Sequence, residues 1–146
     1  MENNGKLPPA LSEIVEDFSW CEGREKLELL VQFSEMMPEL PASLNIDHET
    51  MDQVSECMTP VFIHVENDDS HLKFYFDVPK ESPTVRGFAA IMSKGLDGSM
   101  PEEILQIPND FYLKMGLEKV LTHQRLNGLT AMIAHIKRLA ALELEK

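Results

Sequence analysis

The sequence predicts an α+β domain built of two layers, in which a small antiparallel sheet packs against several helices. Apolar residues recur at helical spacing towards both ends of the chain. Residues 60–65 and 72–78 are instead short runs typical of strands, and residues 67–70 (NDDS) between them indicate a hairpin turn. Because the two strands are consecutive and helices lie on either side of them, the order favours α+β over alternating β-α units.

The N-terminal third of the chain predicts a tail followed by two helices. Residues 1–9 are expected to be a flexible tail, and residues 10–146 a single domain. Gly23 separates the two helices, and Pro38 ends the second because proline cannot continue a helix. The apolar positions at helical spacing are Leu11, Ile14, Val15 and Phe18 in the first helix and Leu27, Leu30, Phe33 and Met37 in the second.

The middle of the chain predicts a loop, the hairpin and a helix. Residues 38–53 have no clear period and are predicted to be an ordered loop. Pro60 is placed at the start of the first hairpin strand, where a missing N–H does least harm. Beyond the hairpin, Ser82 is predicted to be the N-cap of a helix that has Pro83 at its first position and ends at Gly95.

Further helices are predicted in the C-terminal third. Residues 99–102 (SMPE) have the spacing of a capping box for a short helix, and Asn109 or Asp110 opens another. The last helix begins at about Thr122. Its apolar stripe comprises Leu126, Leu129, Ile133, Ile136 and Ala140.

The composition argues against several classes of function. The chain has 146 residues and a formal net charge of −12, so we expect neither nucleic acid nor an anionic membrane surface as a partner. A partner steered by charge would present a basic face, although the charge also serves solubility. No stretch approaches the ~18 apolar residues of a transmembrane helix, and the polar N-terminus lacks the apolar core of a signal peptide. We therefore expect a cytoplasmic protein.

Cys57 is the strongest candidate for chemistry. It lies where a polar turn runs into the first apolar strand, so a partner can reach it, and Cys21 is the only other cysteine. A thiol attacks as its thiolate, but the negative charges of Asp52 and Glu56 disfavour that form. From the residues alone, a buried structural thiol is the more common alternative.

The histidines do not form a convincing metal site. His64 and His71 flank the hairpin turn and would face each other in a symmetrical register, but no CxxC or HxxxH pair accompanies them. The other histidines, His48, His123 and His135, are dispersed. We therefore expect no bound metal.

Four segments in order along the chain carry recognisable motifs. Residues 54–62 (VSECMTPVF) are similar to the pattern V-x-G-C-x-S-x-V-W. Residues 37–40 (MPEL) and 85–88 (VRGF) are similar to L-P-E-L and V-K-G-L. Residues 121–132 (LTHQRLNGLTAM) follow L-T-x-x-R-x-x-G-L-x-x-M. Taken together, these segments resemble the SufE family of sulfur-acceptor proteins, which serve cysteine desulfurases in iron–sulfur cluster assembly.

The resemblance implies a fold and a function. The fold is SufE/NifU-like, with about three strands, and the candidates for the third are residues 76–78 and the loop before Cys57. Cys57 would accept persulfide sulfur from a SufS-like, pyridoxal-phosphate-dependent cysteine desulfurase, stimulate its turnover and deliver the sulfur to a SufBCD-like iron–sulfur scaffold. The protein would be an accessory protein and not an enzyme, a monomer or weak homodimer with no cofactor of its own, since the pyridoxal phosphate belongs to the partner.

The resemblance also gives roles to residues around the thiol. Arg125, which by itself would be a solvated helix residue, would steady the loop or the anionic sulfur. Val54, Val61 and Phe62 would line a pocket that shelters the sulfur while the protein is idle.

Two positions depart from the family pattern. Glu56 replaces a glycine, so the loop loses backbone freedom and gains a negative charge, for which Arg86, Arg125 or the donor's own surface are the candidate counter-charges. Phe62 replaces a tryptophan and keeps an aromatic anchor.

Two alternative functions stay open. A thiol-dependent hydrolase or transferase acting on a small molecule predicts a thiol of low pKa with His64 or His123 nearby. An interaction module with an inert cysteine predicts that a Cys57→Ala variant is fully functional in cells.

Overall fold

The computed structural model describes residues 7–42 and 48–146, and within these residues it has five α-helices and one three-stranded antiparallel sheet. This confirms the α+β prediction. Two 3₁₀ helices, Phe111–Met115 and Leu117–Lys119, precede the last α-helix. The α-helices are α1 (Pro9–Trp20), α2 (Arg24–Glu35), α3 (Pro83–Leu96), α4 (Pro101–Leu105) and α5 (His123–Leu144), and the strands are β1 (Asp52–Gln53), β2 (Phe62–Asp68) and β3 (His71–Asp77).

β2 and β3 form the predicted hairpin. They pair along their whole length, beginning with Phe62 opposite Asp77. The two residues between the strands, Asp69 and Ser70, have φ angles of 55° and 71°, the left-handed conformation that two-residue hairpin turns require. The side chain of Asn67 accepts a hydrogen bond of 2.7 Å from the Ser70 N–H, which holds the turn closed.

The third strand is β1, a two-residue segment that pairs antiparallel with the start of β2. It lies in the loop before Cys57, which was one of the two candidates, whereas most of residues 76–78 belongs to β3. The prediction that residues 38–53 are loop is therefore wrong at Asp52–Gln53, and residues 43–47 lie outside the described residues. Two residues are too few to show a period of two, so only the pairing reveals the strand.

α1 and α2 lie where the helical spacing placed them. α1 begins at Pro9, Leu7 of the predicted tail is buried, and residues 1–6 lie outside the described residues. The predicted apolar positions that are buried are Leu11, Ile14, Val15, Phe18, Leu30, Phe33 and Met37.

The predicted ends of the middle helices need correction. Gly95 does not end α3, which continues to Leu96. A Cβ at Gly95 would come within 2.9 Å of the Leu11 side chain on α1. The glycine therefore serves close helix packing. Ser82 does occupy the N-cap position of α3, but its hydroxyl makes no capping bond and instead hydrogen-bonds the Thr59 hydroxyl at 3.1 Å.

Of the two short C-terminal helices, α4 begins one residue later than predicted. The N-cap of α4 is Met100, whose N–H donates to the Glu103 carboxylate at 2.8 Å, so the capping pair lies one residue beyond the predicted Ser99–Glu102. Asp110 does open the other predicted short helix, which is the 3₁₀ helix Phe111–Met115, although its side chain makes no capping bond.

α3 is the central helix of the helical layer, because it contacts α1, α2 and strand β3. Its buried face carries Val85, Phe88, Ala89, Ile91 and Met92. None of the helices in the described part of the chain is long and apolar enough to span a membrane.

A buried lysine that the sequence did not single out ties three elements together. Lys26 on α2 is only 4% exposed, and its ammonium group donates hydrogen bonds of 2.6 Å to the Phe18 carbonyl and 2.7 Å to the Met115 carbonyl. Carbonyls at the ends of helices have acceptor capacity to spare, so they can pair with the buried ammonium group and compensate its charge.

α2 and α3 approach so closely that their crossing point tolerates only a glycine. A Cβ added to Gly87 would lie 2.2 Å from the Leu30 carbonyl oxygen, well inside the contact distance for carbon and oxygen. Because that neighbour is backbone and cannot rotate away, the helices themselves would have to move apart.

We predict that Gly87→Ala lowers the free energy of unfolding by about 1–3 kcal/mol, the usual cost of overpacking. Helix propensity alone predicts the opposite sign, a gain of up to ~1 kcal/mol. Urea unfolding followed by circular dichroism measures the difference. Gln32→Ala, at an exposed position of α2, is the control and is expected to be near neutral. A stabilised Gly87→Ala variant would contradict the packing.

Candidate functional site

Cys57 lies in a short surface loop whose two ends are fixed in the core. The Val54 N–H donates to the Val61 carbonyl at 2.9 Å and closes the base of the loop, and both valines are buried. Within the loop, the Cys57 N–H donates to the Val54 carbonyl at 3.3 Å. Residues 54–61, called the thiol loop below, therefore have a defined path although their middle is at the surface.

The thiol of Cys57 points towards the N-terminal part of α5. Its Sγ donates a hydrogen bond of 3.4 Å to the Gly128 carbonyl, and a Cβ added to Gly128 would be 3.1 Å from the sulfur. Gly128 is thus the residue that lets the thiol loop approach α5 so closely. The side chain of Cys57 is half-buried and packs against the edge of the apolar core.

A cleft of about 430 Å³ opens beside the sulfur, and it brings the two predicted site residues, Cys57 and Arg125, together. Arg125 is exposed, and among the described residues its guanidinium has no ion-pair partner. Its backbone N–H donates to the Thr122 hydroxyl at 3.2 Å, the N-cap bond of α5, so the helix start fixes where the side chain begins. The other lining residues are Met58, Thr59, Val85, Thr122, Gln124 and Gly128.

The apolar lining differs from the expectation. Val54 and Val61 are buried at the base of the loop and do not line the cleft, and Phe62 stacks on the His48 ring with 3.8 Å between ring centroids. The apolar side of the cleft is made instead by Val85 from α3 and by Met58, whose side chain is 79% exposed. An apolar side chain this exposed, next to the thiol, is available for contact with a partner.

The environment of Cys57 holds its thiol protonated at neutral pH. Burial away from water and, to a smaller extent, the negative charge of Glu56 together raise its pKa to about 11. The sequence predicted that the charge of Glu56 would disfavour the thiolate of Cys57, as the raised pKa shows. A thiol of this kind is a poor nucleophile until it becomes more hydrated or meets a positive charge.

Glu56 is held by a residue that the sequence did not single out. His135 on α5 has its Nε2 3.1 Å from Glu56 and its Nδ1 2.6 Å from Asp52, and Arg138 pairs with the other oxygen of Asp52. The hydrogen bond that the Glu56 carboxylate accepts from its own backbone N–H, together with the contact with His135, holds the pKa of Glu56 below its usual value. The signal in the sequence was spacing, because His135 follows Gly128 by seven residues and therefore lies on the same face of the helix. The described contacts of Glu56 thus do not involve Arg86, which donates to the carbonyls of Ser34 and Val78.

The remaining histidines and Cys21 do not line the cleft beside Cys57. The strand register pairs His64 with Tyr75 and His71 with Asp68, so the predicted facing of the two histidines is wrong. Within the described residues, no group of three or more histidine, cysteine, aspartate or glutamate side chains is arranged to hold a metal ion. Cys21 and Cys57 are both free thiols, and the Cys21 sulfur contacts a different carbonyl, that of Asp17 at 3.6 Å.

Comparison with known proteins agrees with the motifs. A sequence model of the SufE family, described as an Fe-S metabolism associated domain, matches residues 12–140. The chain belongs to the SufE family. An uncharacterised SufE-like protein of Mycobacterium tuberculosis is 42% identical over 133 residues, which is 90% of this chain and 92% of that one.

Two further relatives connect the family to a fold and to a named activity. A solution structure of a hypothetical protein from Thermus thermophilus superposes with a TM-score of 0.84 at 31% identity, covering 96% of this chain and 99% of that one. A cysteine desulfuration protein SufE of Plasmodium falciparum is 31% identical over 88 residues, which is 58% of this chain and 35% of that protein.

The raised pKa of Cys57 predicts a specific pH dependence of its reactivity. In a Cys21→Ser background, the rate of alkylation by iodoacetamide should rise about tenfold per pH unit from pH 7 to 10 without a plateau, since only about one thiol in a thousand is ionised at pH 8. Mass spectrometry of samples quenched at intervals gives the rates. A plateau beginning near pH 8.5, the value of a free cysteine, would contradict the sheltered environment.

Proposed function

We propose that this SufE-family protein is a sulfur acceptor that takes persulfide sulfur onto Cys57 from a cysteine desulfurase and passes it to an iron–sulfur scaffold. In this role it is an accessory protein and not an enzyme, and the pyridoxal phosphate belongs to the desulfurase. The observation that carries the proposal is the half-buried Cys57 thiol in a cleft shared with the Arg125 guanidinium, which has no ion-pair partner in the described part of the chain. A relative named as a cysteine desulfuration protein supports it.

The chemistry needs only what the site and its partner supply. The Cys57 thiolate attacks the outer sulfur of a persulfide on the donor, so a new S–S bond forms at Cys57 as the donor's S–S bond breaks. The donor leaves as its thiolate, which takes up the proton that Cys57 lost, and there is no net oxidation or reduction. The resulting Cys57 persulfide is anionic at neutral pH, and the guanidinium of Arg125 in the same cleft offers it a counter-charge.

The resting arrangement suits a carrier better than it suits a hydrolase. The hydrolase alternative required a low-pKa thiol with His64 or His123 nearby, but burial raises the pKa of Cys57 to about 11, and neither histidine lines the cleft. A sheltered, protonated thiol reacts slowly with small electrophiles in solution, and the same shelter protects a bound persulfide from small thiols. The third alternative, an inert thiol, is separated from the proposal only by experiment.

The first test follows the sulfur atom. Incubating the protein with a catalytic amount of a cysteine desulfurase and free cysteine should increase its intact mass by one sulfur atom, and the desulfurase should turn over faster. The Cys57→Ser variant should gain no mass and give no stimulation, whereas Cys21→Ser, the matched control, should behave as the parent. Sulfur uptake by Cys57→Ser at the parental rate would refute the proposal.

The second test concerns Arg125. Arg125→Ala should slow sulfur uptake by about fivefold, the equivalent of ~1 kcal/mol for an exposed ion pair, whereas Arg125→Lys keeps the charge and should recover part of the rate. Rates of mass gain under single-turnover conditions measure this. Equal rates for the parent and Arg125→Ala would remove Arg125 from the site.

A further inference from the structure

The thiol loop is fastened to the rest of the protein by contacts on two sides. On the α3 side, the hydroxyls of Thr59 and Ser82 are hydrogen-bonded at 3.1 Å. On the α5 side, the Cys57 thiol donates to Gly128, and Glu56 contacts His135. The contact between Glu56 and His135 is the charged one among these, and it involves the residue directly before the thiol.

The ring of His135 lies between two carboxylates. Both ring nitrogens face carboxylates, Nδ1 towards Asp52 and Nε2 towards Glu56. An ionised carboxylate only accepts hydrogen bonds, so both contacts are hydrogen bonds at the same time only when both ring nitrogens carry a proton. The charged groups that face it are Asp52 from β1 and Glu56 from the thiol loop, and Arg138 on its own helix holds the second oxygen of Asp52.

This cluster has an anchored half and an exposed half. The side chains of His135 and Asp52 are 17% and 19% exposed, and Asp52 is further held by β1 pairing and by Arg138. The Glu56 side chain is 60% exposed and reaches the cluster from the loop. The contact with Glu56 is therefore the one that can open without disturbing the core.

We propose that His135 is a positioning residue, which holds the thiol loop against α5 through Glu56 and so keeps Cys57 sheltered until the loop is released. The significance of this tether for sulfur transfer rests on the proposed function, but the tether itself does not. Glu56 in place of the family's usual glycine is what gives this chain a side chain for His135 to hold.

The tether and simple electrostatics predict opposite effects when His135 is removed. If His135 acts only as a positive charge that offsets Glu56, its loss leaves Glu56 uncompensated, raises the pKa of Cys57 and slows alkylation. If His135 holds the loop, its loss lets the loop open and hydrates the thiol, so alkylation becomes faster. The sign of the change therefore decides between the two.

The experiment measures alkylation of Cys57 by iodoacetamide at pH 8 in the Cys21→Ser background. His135→Ala and Glu56→Ala should each be about two- to fivefold faster than the parent, as expected for loss of an exposed ion pair. The double variant should be no faster than the faster single variant, because both remove the same contact. Glu56→Gln keeps an oxygen acceptor for His135 and should lie closer to the parent than Glu56→Ala. His71→Ala, at the far end of the hairpin, is the control and should be unchanged.

The outcomes separate the tether from the proposed function. Slower or unchanged alkylation in a folded His135→Ala variant would overturn the tether, and urea unfolding shows whether either single variant has lost its fold. If His135→Ala proves unstable, the comparison of Glu56→Ala with Glu56→Gln decides, because both remove the negative charge beside the thiol and only Gln keeps an acceptor for His135. The alkylation rates can change as predicted even if Cys57 never gains sulfur from a desulfurase. That result would support the tether and refute the proposed function.

Discussion

The contact between the Cys57 sulfur and the backbone of Gly128 is the constraint on which the rest of the site depends. It forms because Gly128 has no side chain, so the thiol loop can lie directly on α5. The same approach removes water from the thiol, which raises its pKa to about 11, and leaves a cleft beside it for Arg125. Position, protonation and access of the sulfur thus follow from one close packing of loop on helix.

This packing makes the Cys57 thiol of the resting protein poorly reactive, which suits the proposed role of a sulfur carrier. An activated thiol would be open to every electrophile and disulfide that it met. A sheltered thiol needs a partner to shift it into a more hydrated or more positive environment. The loop has the build for such a change, because its base is buried at Val54 and Val61 while Glu56 and Met58 are exposed. A binding partner can therefore act on the loop without unfolding the core beneath it.

The parts of the fold that sequence could predict are those with a repeating pattern. The long helices were predicted from their apolar period, and the hairpin from its turn residues. Cys57 and Arg125 were predicted from motifs, and the structure places both side chains in one cleft. β1 was not predicted as a strand because two residues are too few to show a period, and its position depends on pairing with β2. The end of α3 was misplaced because Gly95 serves close packing against α1, and the start of α4 because the capping pair is Met100 and Glu103 and not Ser99 and Glu102.

The residues that sequence reasoning missed act through tertiary contacts. His135 is 79 positions from Glu56, and Lys26 is 89 positions from Met115, so neither pairing has a local signature. Both are ionisable groups with few exposed atoms, and such groups are found buried only where specific partners compensate them. Buried ionisable groups of this kind are therefore recognised only when the structure shows the distant partners that they contact.

The most direct measurement of the central claim is to locate the transferred sulfur in the unmodified chain. Free cysteine labelled with ³⁵S, a desulfurase and the parent protein with both thiols intact would be combined, blocked with an alkylating agent and digested. The account predicts that the label is recovered as a persulfide on the peptide containing Cys57, and that the Cys21 peptide carries none. Label on Cys21, or label divided evenly between the two peptides, would contradict it.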